Sequence, residues 1–262
     1  MSTQYDKIGT SYDEMRKLPV KLLEAANVKE AAKPYISGAR VLDLACGTGF
    51  ISKASLDWGA SSVLGVDIST TMVNAARVSS TSNKLNFEVA DCSKPLQYEG
   101  GPFDLVLGAW LLNYAPSGKD MANMFCNAAL NLRQGGHFIG VTVHPTNDPK
   151  AHAEAALAAR PPQFGVITVT LTGEVEDGFA THVDTIIEPK VEFDAYFLRK
   201  EVHEKAAREG GFEGALTWRS VTVPDGYGDS LGGNGDEKWD TYFTVPHFGV
   251  LVACKGPDGC QP

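Results

Sequence analysis

The chain has 262 residues, of which 43% are hydrophobic and 21% charged, a balance typical of an ordinary globular protein. A formal net charge of −9 and the lack of a Lys/Arg cluster argue against nucleic acid as a partner. No apolar run approaches the roughly 20 residues of a membrane-spanning helix, and the polar N-terminus resembles no secretory signal. We therefore expect a soluble, cytoplasmic protein without a membrane partner.

Five cysteines are present, an odd number without Cys-x-x-Cys spacing. This pattern argues against a disulfide framework and against a structural metal site, so it predicts free thiols at Cys46, Cys92, Cys126, Cys254 and Cys260. Composition carries no information about the oligomeric state.

The first predicted region is a helical cap over residues 1–38, followed by one domain over residues 39–262. Apolar residues at helical spacing predict helix over 12–33, with Pro19 starting a new helix or kinking it. From Ala39 onward, short apolar runs alternate with amphipathic stretches, which is typical of βαβ units and a parallel sheet. The predicted strands are Val41–Leu44, Ser62–Val66, Leu85–Val89, Phe103–Ala109 and His137–His144, with helices at Phe50–Trp58, Thr70–Val78 and Met121–Leu132.

After Pro145 the pattern predicts insertions at about 146–196 and 224–245 in this domain. The first contains a helix and an antiparallel hairpin that covers one sheet end, at Lys150–Ala159, Gly165–Leu171 and Thr181–Ile187. A helix at Lys200–Glu209 then precedes an antiparallel pair of strands at Leu216–Val223 and Phe248–Cys254. Between those strands, Pro224–Thr244 is predicted to be a long loop that closes over a ligand.

The strongest local signal is a buried strand that leads into a glycine turn and a helix, Val41–Phe50. Asp67 follows 18 residues after Gly49 at the end of the next strand, where a carboxylate can accept ribose hydroxyls. The pattern indicates a nucleoside-containing cofactor. Ser52 replaces the third glycine of a dinucleotide site, and Asp43 would repel a diphosphate. The same acid suits the cationic ammonium and sulfonium of S-adenosylmethionine (SAM), so the chemistry favours SAM over NAD.

The segment Val41–Phe50 resembles motif I of the class I, Rossmann-like SAM-dependent methyltransferases, small-molecule type. The resemblance extends to Gly65–Ser69, Ala90–Cys92 and Phe103–Val106 and covers about residues 39–144. It implies an α/β fold: a doubly wound, mostly parallel seven-stranded sheet with a reversed last hairpin, here with the N-terminal helical cap and an inserted antiparallel β lid.

The resemblance also implies a set of cofactor-binding residues. Asp43 and Gly47 would contact the methionine part, Asp67 the ribose and Asp91 the adenine amino group. Tyr5 and Tyr12 belong to a segment that would fold over the cofactor carboxylate. Core packing of Met72 and a solvated turn at Asp91 are simpler interpretations of those two residues. The full set is Tyr5, Tyr12, Asp43, Ala45, Gly47, Gly49, Asp67, Ile68, Met72, Asp91, Cys92 and Ala109.

The acceptor site is expected beyond the carboxyl ends of the fourth and fifth strands. His144 is the candidate general base, although a histidine before proline is equally consistent with a structural role. The predicted acceptor-binding residues are Trp110, Asn113, Tyr114, His144, Tyr227, Trp239 and Tyr242.

The predicted activity is methyl transfer to an O, N or S atom of a small molecule, in the manner of methyltransferases of secondary metabolism. The alternatives are a nicotinamide-dependent oxidoreductase, a methyltransferase that acts on protein or RNA, and a catalytically silent SAM-binding protein.

Overall fold

Ten strands form two separate sheets in the computed structural model, which describes residues 3–159, 167–224 and 237–256. The strands are β1 (Arg40–Leu44), β2 (Ser62–Asp67), β3 (Leu85–Val89), β4 (Phe103–Ala109), β5 (Leu132–Val143), β6 (Ile167–Val175), β7 (Gly178–Thr185), β8 (Glu192–Leu198), β9 (Leu216–Arg219) and β10 (Phe248–Cys254). The larger sheet has the order β3-β2-β1-β4-β5-β10-β9, and the smaller one has the order β6-β7-β8.

The larger sheet is parallel except at one edge. Strands β1 to β5 pair in parallel, whereas β10 is antiparallel to both β5 and β9. The chain order reverses between β1 and β4, and ligands of open α/β sheets bind outside the carboxyl ends of strands at such a switch point. The fold therefore places the candidate site at the carboxyl ends of β1, β2 and β4.

Helices cover both faces of this sheet, and two apolar clusters fill the space beneath them. Pro19 occupies the first turn of α3, while the Ser69 and Ser117 hydroxyls accept backbone N–H bonds that cap α5 and α6. The helices are α1 (Gln4–Ile8), α2 (Tyr12–Met15), α3 (Pro19–Ala32), α4 (Phe50–Asp57), α5 (Thr70–Val78), α6 (Gly118–Asn131), α7 (Pro149–Ala159), α8 (Lys200–Glu209) and α9 (Glu237–Thr244). None of the helices described here is long and apolar enough to span a bilayer.

The predicted architecture is confirmed: a mostly parallel seven-stranded sheet, a reversed last hairpin and a separate antiparallel sheet. The inserted sheet has a third strand, β8, that was not predicted. Buried and exposed residues do not alternate regularly along β8. The sequence of β8 therefore lacks the clear period-2 pattern that predicts a half-buried strand.

Three other expectations from the sequence were wrong. Strand β9 ends at Arg219 and does not continue to Val223. The last residues of the predicted loop form α9, because Tyr242 and Phe243 pack against the core in one helical turn. Cys254 is disulfide-bonded, whereas Cys46, Cys92 and Cys126 are free. An odd number of cysteines argues against a network of bridges, but it does not exclude one bond.

Candidate functional site

The turn after β1 is built from backbone conformations that most residues avoid. Ala45, Gly47 and Gly49 have φ angles of 59°, 55° and 78°. A Cβ atom on Gly49 would lie 2.6 Å from the ring of Phe87, so only glycine fits there. The Cys46 N–H donates to the Val66 carbonyl at 3.0 Å and ties the turn to the end of β2. The turn therefore places backbone atoms that no side chain covers at the switch point of the sheet.

Asp67 lies beside this turn at the end of β2, with only 8% of its surface exposed. One carboxylate oxygen accepts the Gly47 N–H at 2.8 Å, and the other accepts the Ser69 N–H at 2.8 Å. Burial raises the pKa of Asp67 despite these bonds. Each oxygen keeps a second lone pair, so the carboxylate can still accept two hydroxyl groups.

Asp43 is the second buried acid of the site. The Ser52 hydroxyl donates to its Oδ2 atom at 2.5 Å. Burial, together with the charge of Asp67, raises the pKa of Asp43 to about 7 against the opposing effects of Ser52 and Arg16. A cationic ligand group at this position would favour the ionised carboxylate.

A cleft, here called the cofactor cleft, opens between this turn, α3 and the end of β4. Arg16 enters it from the N-terminal segment, where its guanidinium lies 5.0 Å from the Phe50 ring centroid and 3.3 Å from the Asp13 carboxylate. Arg16 was not predicted as a cofactor-site residue, although it stands four residues after Tyr12. The lining residues are Tyr12, Arg16, Lys21, Glu24, Ala25, Val28, Asp43, Ala45, Cys46, Gly47, Phe50, Ile51, Ala109, Trp110 and Val141.

The donor set of the cleft fits SAM. Buried acids suit an ammonium and a sulfonium, Arg16 suits a carboxylate, and the glycine turn admits a close backbone approach. A diphosphate would instead meet the carboxylates of Asp43 and Asp67 at the turn, and the second cation of the lining, Lys21, is paired with Glu24.

The N-terminal segment lies across this region. The hydroxyls of Tyr5 and Tyr114 share a short hydrogen bond. The Asp6 carboxylate accepts the Ser69 hydroxyl at 2.6 Å, and Asp13 accepts the Thr48 hydroxyl at 2.6 Å. Of the two predicted tyrosines, only Tyr12 lines the cleft. The ring centroid of Tyr5 lies 5.8 Å from that of Tyr12.

The residues predicted for the adenine side have different environments. Met72 and Cys92 are buried, whereas Ile68 is 45% exposed directly after Asp67. Asp91 lies at the sheet edge, where Ser93 donates to it and Lys94 is 2.7 Å away. Burial alone would raise the pKa of Asp91, but Lys94 and Ser93 lower it below its ordinary value. None of these four residues lines the cofactor cleft as described above.

A second cavity, the acceptor chamber, lies between the carboxyl ends of β4 and β5 and the inserted sheet. It shares Tyr12, Lys21 and Trp110 with the cofactor cleft. Three predicted residues, Trp110, Asn113 and Tyr114, line it, and the Asn113 Oδ1 atom is buried without a hydrogen-bond partner. The lining residues are Tyr12, Met15, Lys21, Trp110, Asn113, Tyr114, Val143, Ile167, Val169, Thr181, Val183, Phe193, Ala195 and His247.

A buried polar cluster forms the boundary between the two cavities. Glu24 accepts hydrogen bonds from Lys21 at 2.9 Å, from the Trp110 indole at 2.8 Å and from His247 Nε2 at 3.0 Å. The Lys21 ammonium also lies 4.7 Å from the Trp110 ring, and Trp110 has a positive φ of 65°. The sequence did not predict site roles for Lys21, Glu24 and His247, because these residues come from opposite ends of the chain and form no local motif.

His144 lies outside the lining of both cavities. Its ring stacks on His152 at 4.4 Å, and its Nδ1 atom is buried without a hydrogen-bond partner. Burial lowers the pKa of His144 and brings that of His152 to about 4. Both rings are therefore predominantly neutral at pH 7.

The aromatic residues expected in the 224–244 loop are only partly described. Tyr227 lies outside the described residues, and so does the side chain of Trp239. Tyr242 is buried on α9 and lines a third, outer cavity next to the acceptor chamber. Val143, Ile167, Val169 and His247 line both of these cavities, so they adjoin.

The glycine turn, the two acids and the strand order define a Rossmann-like protein with a nucleoside-type cofactor site. Residues 41–136 match a family model described as "Methyltransferase domain". This part of the chain is thus similar to the methyltransferases that the sequence resemblance indicated.

One curated protein is similar in sequence, and two solved structures are similar in fold. A ubiquinone biosynthesis O-methyltransferase of Xanthomonas campestris is 31% identical over 147 residues, which cover 54% of this chain and 59% of that protein. A SAM-dependent methyltransferase of Mesorhizobium loti has a TM-score of 0.60 at 21% identity, covering 87% of this chain and 96% of that one. A chain from the Haloferax volcanii complex that contains the Trm112 methyltransferase activator has a TM-score of 0.64 at 18% identity, with 98% and 99% coverage.

Proposed function

We propose that this protein is a SAM-dependent methyltransferase whose acceptor is a small molecule. The observation that carries the proposal is the junction of two cavities: a cleft that fits SAM meets an acceptor chamber at Tyr12, Lys21 and Trp110. SAM supplies an electrophilic methyl group on a sulfonium, and the protein mainly has to hold an acceptor atom in line with it.

The chain's own residues supply the binding groups in this proposal. Asp67 accepts the ribose hydroxyls, while Asp43 balances the ammonium and Arg16 pairs with the carboxylate of the cofactor. Ile68 offers an exposed apolar surface to the adenine, and Asp91 accepts its amino group. The N-terminal segment lies over the bound cofactor and excludes water from the junction.

The acceptor chamber favours a planar, largely apolar molecule. Its lining is rich in aliphatic and aromatic side chains, among them Tyr12, Tyr114, Phe193 and Trp110. The similarity to a ubiquinone biosynthesis O-methyltransferase agrees with a ring-shaped acceptor. A role in secondary metabolism and a cytoplasmic location are part of the same proposal.

Two experiments test this function. Calorimetry should show that SAM binds and that NAD⁺ does not; binding of NAD⁺ alone would support an oxidoreductase instead. Methyl-labelled SAM is then incubated with fractionated small metabolites, and mass spectrometry follows the label. We expect label in a small molecule, whereas bound SAM without any transfer would indicate a silent SAM-binding protein.

A further inference from the structure

A carboxylate, an imidazole and a phenol form a chain of hydrogen bonds at the boundary of the acceptor chamber. Glu24 comes from α3, Tyr242 from α9, and His247 from the turn before β10. Glu24 Oε1 lies 3.0 Å from His247 Nε2, and His247 Nδ1 lies 2.7 Å from the Tyr242 hydroxyl. Helix α3 and the segment from α9 to β10, which are distant in the sequence, thus build one continuous polar path.

The charge of Glu24 fixes the tautomer of His247. Burial would raise the pKa of Glu24, but Lys21, His247 and Trp110 bring it below its ordinary value, so the group is a carboxylate. A carboxylate only accepts hydrogen bonds, so His247 Nε2 must carry the proton. In the neutral ring Nδ1 is then the accepting atom, and the Tyr242 hydroxyl donates to it. This is the arrangement that orients a histidine base in acid–histidine–hydroxyl triads.

The path also lies where an acceptor would need it. His247 lines both the acceptor chamber and the outer cavity, and Tyr242 lines the outer cavity. The His247 ring stacks on Trp110 with an interplanar angle of 13°, and Trp110 borders the cofactor cleft. A planar acceptor that lies in the chamber and extends into the adjoining outer cavity would therefore contact both the imidazole and Tyr242.

We propose that Glu24, His247 and Tyr242 form a proton relay and that the acceptor is a planar molecule methylated on a hydroxyl oxygen; this inference rests on the proposed methyltransferase function. The acceptor oxygen forms a bond to the methyl carbon as the carbon–sulfur bond breaks and sulfur keeps the electron pair. The hydroxyl proton passes to the Tyr242 oxygen while the Tyr242 proton passes to His247 Nδ1. The positive charge of the sulfonium thus ends on an imidazolium beside Glu24, which later releases its proton to water.

Glu24 is a positioning residue in this relay, since it acts through His247. Asn113 offers a second polar contact, because its unpartnered Oδ1 atom can accept a hydrogen bond from another donor of the acceptor. Apolar side chains such as Val143, Ile167 and Phe193 make up much of the remaining wall, which suits the face of an aromatic ring.

The first test needs no acceptor. Nitrogen-15 NMR of histidine-labelled protein, with His247 assigned from a His247→Gln variant, reports which ring nitrogen carries the proton. We expect a proton on His247 Nε2 in the wild type and a gain of the form protonated at Nδ1 alone in Glu24→Gln. A wild-type ring protonated at Nδ1 would overturn the proposal. Asp194→Asn, which removes the carboxylate 2.8 Å from exposed His182, is the matched control and should leave His247 unchanged.

The second test uses three probes of one ring shape: 1-naphthol, 1-naphthylamine and 1-naphthalenethiol, each with methyl-labelled SAM. We expect the fastest transfer to the naphthol. Tyr242→Phe and Glu24→Gln should lower its kcat by roughly 10² to 10⁴-fold, the range of general base catalysis, and Tyr242→Phe, which lies outside the cofactor cleft, should leave the SAM Kd unchanged. Preferred transfer to the amine or thiol, or full kcat in Tyr242→Phe, would contradict the relay. A loss in His144→Gln with full activity in His247→Gln would assign the base to His144 instead.

Different results would contradict the proposed function and the proposed relay. If SAM does not bind to the wild type, the proposed function itself is wrong. If SAM binds and label is transferred but the His247 tautomer or the Tyr242→Phe kinetics disagree, only the relay is wrong.

Discussion

The cofactor cleft and the acceptor chamber share three residues but are built in opposite ways. The wall of the cleft at the glycine turn comes from one short segment in which a strand, its turn and the next helix follow each other directly, with Asp43, Gly47 and Gly49 inside ten residues. The chamber is made by α3, the end of β4, the inserted sheet and the turn before β10, and His247 contacts Glu24 from 223 positions away. The glycine-turn wall is therefore specified by local sequence, and the chamber only by the tertiary fold.

The largest expected effect concerns the locally built region. Asp67→Ala removes the acceptor of the ribose hydroxyls and also releases the Gly47 and Ser69 N–H groups. Charge-assisted bonds contribute about 1.5 to 3 kcal/mol, so SAM affinity should fall by about 10- to 150-fold in calorimetry. Asp57→Ala, an exposed acid at the end of α4, is the control and should bind normally. Unchanged affinity in folded Asp67→Ala would remove this residue from the site.

The next effect depends on pH. Asp43 has a pKa of about 7 in the free protein, so at lower pH it must lose a proton to pair with the cofactor ammonium. Its contribution to SAM affinity should therefore grow by about tenfold from pH 6 to pH 8 and level off above the pKa. The SAM affinity of Asp43→Asn should lack this pH-dependent increase. The titration of the cofactor itself affects the wild type and the variant equally. Parallel affinity curves for the two proteins would show that Asp43 does not sense the cofactor charge.

A smaller effect should separate the chamber from the cleft. Trp110→Phe removes the indole donor of Glu24 at the boundary between them. A net hydrogen bond of about 0.5 to 1.5 kcal/mol predicts a 2- to 12-fold higher acceptor KM with little change in SAM affinity. Trp58→Phe, at the end of α4, is the matched control. If SAM affinity fell and the acceptor KM stayed constant, Trp110 would belong to the cofactor side alone.

The smallest effect is expected at Asp91. Its carboxylate is partly exposed and already paired with Lys94, so a bond to the adenine amino group would add only about 0.5 to 1 kcal/mol. Asp91→Asn should weaken SAM by about 2- to 5-fold in calorimetry, and Lys94→Gln should change it less. An effect as large as that of Asp67→Ala would mean that Asp91 orders the cofactor site itself.

The same contrast explains how much could be predicted from the sequence. The strands β1 to β5, the reversed hairpin and the glycine turn follow from apolar periodicity and from residues that only a left-handed backbone tolerates. Strand β8 and helix α9 were missed because their patterns are short and weak. Lys21 and Glu24 lie in a helix whose sequence gives no sign that α9 and the β10 turn will pack beside it. Arg16 was the exception, a local residue close to Tyr12 whose charge suits the cofactor carboxylate.

The account's central claim is that the methyl group of SAM faces the acceptor chamber across Trp110. A crystal structure with S-adenosylhomocysteine tests it most directly. We expect the ribose on Asp67 and the thioether sulfur at the junction formed by Tyr12, Lys21 and Trp110, open toward His247. A sulfur that faces away from this junction, with the ligand held elsewhere on the sheet edge, would contradict the claim.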